Sequence, residues 1–243
     1  MNPIEVYGIP GFREPWSSFS HLLAIPVFAV VGVYLVSQAP RRLSYRVSLS
    51  VLVVSTLFLL AMSGVYHMLA PGLGRSVMRQ LDVAAVFALI AATATPIQTI
   101  MFRGIHRWLP LIAIWSIAIT GITLRTALPQ YFTDSVGNGV FLALGWGGAI
   151  YMGKLWRRCG ANFIAPLLWG GIAYTVGVVI LTLRWPGTLL GVVGPHELWH
   201  VAVLIGLALH WKFIWRVATL HDSADSQLQD SGDGPWPAVA QAS

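Results

Sequence analysis

Two histidines set four residues apart, His196 and His200, open the last long apolar run of the chain, within Gly194-Pro195-His196-Glu197-Leu198-Trp199-His200. On a helix that spacing puts both rings on one face. The preceding Pro195 suits a first helical turn, where its missing N–H costs nothing. Two neutral imidazoles at this spacing can ligate one zinc ion, and a third ligand with a water would complete a tetrahedral catalytic site. The remaining question for the sequence is whether another element delivers that third ligand.

The elements available are apolar helices. The chain has 243 residues, of which 56% are hydrophobic and 10% charged. The apolar residues come in long runs, the pattern of a polytopic membrane protein. Seven spans are predicted: Phe19 to Ala39, Ser48 to Met68, Leu81 to Phe102, Trp108 to Leu124, a short fifth from Val140 to Gly153, Ile164 to Leu183, and Glu197 to Trp215. The expected fold is therefore all-α, a seven-transmembrane-helix bundle. It is divided into an N-terminal lead (1–18), a membrane domain (19–217) and a disordered tail (218–243), the last because it is acidic, polar and rich in Pro and Gly. Glycines in the fifth and sixth spans (Gly145, Gly147, Gly148; Gly170, Gly171, Gly177) are expected to allow close helix packing in lipid. The single Cys159 excludes an internal disulfide framework and a multi-cysteine zinc motif. The first residues do not form a basic-then-apolar signal peptide.

The net charge of +6 is spread over short loops. It reads as a topology signal, so no nucleic-acid partner is expected. Arg41, Arg42, Arg46, Arg103, Arg107, Lys154, Arg157, Arg158, Lys212 and Arg216 lie on one side. Arg13, Arg75, Arg79, Arg125 and Arg184 lie on the other. The positive-inside rule then puts the N-terminus outside and the C-terminus in the cytoplasm of a multi-pass plasma (inner) membrane protein. Whichever side is which, seven crossings bring the exit of span two, the entry of span three and the entry of span seven to one membrane face. His67, at the end of Ser63-Gly64-Val65-Tyr66-His67, can thus be the third ligand, and Asp82 can reach the same pocket. Of the nine acids, Asp82 and Glu197 are expected at span boundaries, both on the histidine side. An ionised side chain in hydrocarbon costs at least ~2.5–3.5 kcal/mol, so a chain this poor in acids would not place one there without use. His106, His210 and His221 are expected to be interfacial or remote. His21 is also expected to be interfacial, but it is the hardest to set aside because it opens span one on the correct face.

The combination of S-G-V-Y-H ending span two, L-D-V-A-A-V-F-A-L-I-A-A-T-A-T-P in span three and H-E-L-W-H in span seven resembles the hemolysin III family. That family sits within the progestin and adipoQ receptor superfamily, which is related to alkaline ceramidases. Phe12 to His21 (F-R-E-P-W-S-S-F-S-H) and Gly170 to Gly177 (G-G-I-A-Y-T-V-G) extend the likeness, which runs from about Phe12 to Trp215. The chain departs from the family at Val83, where a histidine is usual, and lacks an aromatic near Thr93 to Pro96. The resemblance implies a seven-helix bundle with an intramembrane zinc ion. It implies His67, His196 and His200 as ligands, Asp82 holding the zinc-bound water, and Ser63 supporting that polar cluster. In the relatives with established chemistry the reaction is hydrolysis of a lipid amide such as ceramide.

Three functions compete on this reading. The first is a zinc-dependent lipid amide hydrolase: a carboxylate beside the ion can take the proton of the attacking water. The second is a non-enzymatic receptor-like or pore-forming protein in which zinc only clamps two spans. The third takes His196-Glu197-x-x-His200 as an intramembrane metalloprotease with Glu197 as base. It lacks a further acidic ligand in the spans.

Overall fold

The computed structural model describes residues 12–187 and 193–228. Among them are eight α-helices: α1 (Pro15–Gln38), α2 (Leu43–Met68), α3 (Leu73–Met101), α4 (Ile105–Ala127), α5 (Asp134–Gly147), α6 (Ala149–Cys159), α7 (Ala161–Leu183) and α8 (Pro195–Leu228). In hydrocarbon no water satisfies an open backbone N–H or C=O, so apolar runs of this length must close their hydrogen bonds within the helix. Six helices are long and apolar enough to cross a membrane: α1, α2, α3, α4, α7 and residues Pro195–Thr219 of α8.

The expected fifth span, Val140 to Gly153, is not a single long helix. It falls across α5, of 14 residues, and α6, of 11, which meet at Gly148. Gly148 itself keeps a right-handed helical conformation between them. α5 starts beside the end of α4, where Arg125 Nη1 donates to Phe132 O at 3.0 Å. α6 ends beside its start, with Tyr151 packed edge-on to Phe102 and Lys154 Nζ 3.4 Å from His106 Nδ1.

Element ends differ from the sequence expectation where composition is amphipathic. α3 begins at Leu73 rather than Leu81, so Asp82 lies well inside the helix instead of opening it. α1 begins at Pro15, within the expected lead, and α8 continues to Leu228, past the expected boundary at 217. Residues 229–243, the rest of the expected tail, lie outside the described residues. Two helix starts require glycine: Gly104 (φ 55°) before α4 and Gly160 (φ 81°) before α7 take backbone angles that side chains disfavour.

Sequence neighbours pack side by side (α1 on α2, α2 on α3, α3 on α4, α7 on α8), and α8 closes the bundle against α1 and α3. α3 is the central helix, with 61% of its apolar window buried against 17% for α1. Leu49, Leu52 and Leu60 of α2 meet Leu207, Phe213 and Ile214 of α8 in one continuous core. Leu23, Val30 and Val33 of α1 and Ile112 and Ile119 of α4 are exposed and face outward, as lipid-facing residues do. The glycine expectation holds for two of its six members. A Cβ on Gly170 would meet the His210 ring at 2.2 Å, and one on Gly177 would meet Ala202 at 2.7 Å, so α7 and α8 touch through them. Gly145 and Gly147 have open space beside them instead, because α5 has no close partner on that side.

Candidate metal centre

The last turn of α2 and the first turns of α8 meet at one end of the bundle. His67 Nε2 lies 3.3 Å from His196 Nε2, and His196 Nε2 lies 3.1 Å from His200 Nε2. His67 and His200 are 1% and 3% exposed, so water cannot easily serve as their partner. Three such histidines offer ligand atoms that all lie within 4.8 Å of one another, close enough to bind a metal ion.

Hydrogen bonding alone does not satisfy this triangle. A neutral imidazole carries one N–H and one lone pair. His67 Nδ1 is in close contact with the Glu14 carboxylate, which only accepts. The proton of neutral His67 therefore sits on Nδ1, and Nε2 presents a lone pair. His196 would then have to donate one N–H to two neighbours at once. A shared cation resolves this, and a tetrahedral ion with bonds of 2.0–2.1 Å would hold its nitrogens about 3.4 Å apart, close to the 3.1 and 3.3 Å observed. The donor set, neutral nitrogen only, suits zinc among other transition metals.

The site's surroundings come from five helices: α1, α2, α3, α4 and α8. Asp82 of α3, half-buried, lies against the Ser63 hydroxyl and within electrostatic range of His67, Arg125 and Arg79. Arg75 and Arg79 of α3 and Arg125 of α4 line an open cavity of about 380 Å³ beside Tyr66. Glu197 does not point to the histidines. Its Oε2 accepts from the Gly194 N–H at 2.8 Å and its Oε1 from the Ser17 hydroxyl at 3.1 Å. Gly194 precedes α8 and Glu197 is its third residue, so this is the reciprocal half of a capping box.

Two residues near the centre stand differently from the sequence expectation. His21, 3% exposed, packs its ring tilted against His200 with centroids 4.2 Å apart, and among the described residues neither of its nitrogens has a hydrogen-bond partner. Glu14 lies away from the expected span boundaries, yet it is the residue immediately before α1 and reaches His67 and Arg75. Burial would raise its pKa, but the hydrogen bond from His67 and the charges of His67, Arg75 and His196 outweigh this and hold it at about 2. The available hint was the Glu14-Pro15 step, an acid directly before a proline at a helix start. The remaining histidines are apart from the cluster. His106 is exposed beside Lys154. His210 is inside the bundle rather than interfacial, where its Nε2 meets Leu167 O at 3.2 Å. The side chain of His221 lies outside the described residues.

The sequence profile of the family described as Haemolysin-III related matches residues 12–211. Hemolysin-3 of Bacillus cereus is 28% identical over 189 residues, covering 77% of this chain and 82% of the relative. A hemolysin-3 homolog of Bacillus subtilis (strain 168) is 27% identical over 162 residues, covering 67% and 73%. An uncharacterized protein of Schizosaccharomyces pombe is 24% identical over 233 residues, covering 87% of this chain but 52% of that protein.

Proposed function

This chain belongs to the haemolysin III-related family, and from that membership and the histidine cluster we infer a membrane-embedded zinc protein that hydrolyses a lipid amide. The convergence of the His67, His196 and His200 Nε2 atoms beside Asp82 carries the reading. An ion held by three imidazoles would leave one coordination position open and supply Lewis-acid chemistry for activating water and polarising a carbonyl. The chain's residues do the rest. His67, His196 and His200 fix the ion. Asp82 orients the attacking water and accepts its proton, a contribution of typically ~10²–10⁴-fold. Ser63 holds Asp82 by its hydroxyl. The arginine-lined cavity beside Tyr66 gives the polar end of an amphiphile a place next to the centre, while its acyl chains stay among the helices.

The same reading takes α5 and α6 together as a seventh crossing. Their contacts with Arg125 at one end and with Phe102 and His106 at the other support it. With seven crossings, the Lys and Arg count puts the N-terminus and the metal centre on the outer side.

A second reading is a non-enzymatic receptor-like or pore-forming protein in which the ion only ties α2 to α8, and the name hemolysin-3 borne by the Bacillus relatives favours its cytolytic form. Against the protease reading stands Glu197, whose carboxylate is spent on Gly194 and Ser17. Metal analysis and turnover of ceramide-like amides by the purified protein separate the first two. Asp82→Ala is expected to keep its zinc and lose hydrolysis. Retained turnover would reject Asp82 as the base. Zinc without turnover on any lipid amide in the wild type would leave the structural clamp.

A further inference from the structure

Resting on the metal-site reading above, we propose that Glu14 is a positioning residue for the ion, and that metal binding is coupled to docking of the segment that carries it. Which nitrogen of a histidine binds a metal is set by what the other nitrogen meets. At His67 that partner is the Glu14 carboxylate, reached across 53 residues of sequence. The carboxylate fixes the N–H on Nδ1, aims the Nε2 lone pair at His196 and raises the basicity of the ring, as carboxylates behind metal-bound histidines do.

Glu14 is itself held at several points. Its other oxygen accepts from Arg75 Nη2 at 2.6 Å. Arg75 Nη1 donates to Tyr66 O at 3.0 Å and Leu69 O at 2.7 Å, and its guanidinium lies 4.4 Å from the Tyr66 ring centroid. The guanidinium is thus anchored on the open carbonyls that end α2. The backbone adds a second grip: Glu14 N–H donates to His67 O at 3.0 Å and Arg13 N–H to Met68 O at 3.2 Å. The Ser18 hydroxyl follows, donating to Gly64 O at 2.8 Å. His200 has no such support among the described residues: its Nδ1 is buried with no hydrogen-bond partner. His67 is therefore the ligand whose orientation the protein sets in advance, and it does so from outside α2. Because coupling is reciprocal, an ion that tightens on His67 must also tighten Glu14 and the start of α1.

The test uses full-length protein in nanodiscs and Co²⁺ as the probe, read by its visible ligand-field absorption. Glu14→Ala is expected to weaken cobalt binding by ~10–100-fold. Glu14→Gln is expected to weaken it less, since its amide oxygen still accepts from Nδ1–H but brings no charge. Hydrogen exchange over residues 12–20 is expected to slow on cobalt addition in the wild type and to respond less in Glu14→Ala. Equal cobalt affinity and spectrum in wild type and Glu14→Ala would overturn the proposal while leaving the metal site intact. No cobalt binding by the wild type would overturn the metal site, and this proposal with it. If Glu14→Ala fails to fold, the isosteric Glu14→Gln decides: unchanged affinity overturns the proposal.

Discussion

Helix α8 carries histidines in two settings, and their difference is instructive. His210, in the middle of the helix, seats its ring against Gly170, lies edge-on to Tyr174 and turns Nε2 to Leu167 O. His196 and His200, at its start, find only each other and His67. All four rings lie within the bundle. Burial of a histidine in a membrane helix therefore does not mark a ligand. What sets the cluster apart is a group of Nε2 atoms that face one another.

The sharpest way to break this comparison is to remove one histidine from each setting. His200→Ala is expected to abolish stoichiometric metal in the purified protein, a larger loss than any outer-shell change gives. His210→Leu is expected to leave metal content unchanged. Equal metal loss in both variants would mean that the cluster is no more special than the packed ring. Smaller in effect is the packing that seats His210. Gly170→Ala would drive a Cβ into that ring and to 3.1 Å from Gly206 O, so a destabilisation of ~1–3 kcal/mol is expected by thermal melting in detergent. Gly145→Ala, with nothing near it, is expected to be neutral or stabilising by up to ~1 kcal/mol through helix propensity.

The smallest effect concerns pH. Glu14 is held at about 2, below its ordinary 4.5. A depressed acid lends stability that is complete above its unfolded pKa and is lost as pH falls through the folded one. Melting temperature of metal-free protein is therefore expected to drop between about pH 4.5 and 2, and to drop less in Glu14→Gln.

The nearness of the histidine trio, Asp82 and Ser63 was legible in the chain because each sits in or at the edge of an apolar run, where a polar side chain is costly and conspicuous. Glu14 was not, because it lies in a stretch already polar, where one more acid carries no cost and no information. His210 was misjudged for a related reason: its place in the run was clear, but its acceptor is a carbonyl on another helix. The division of the expected fifth span into two helices was not legible, since hydropathy does not register a break at Gly148. Sequence by itself determined an all-helical membrane chain with a histidine pair on one face of its last helix, because a hydrocarbon solvent leaves few other uses for such residues. Only the tertiary structure decided which polar groups behind the cluster reach it. Those contacts join residues far apart in the chain, and no local periodicity encodes them.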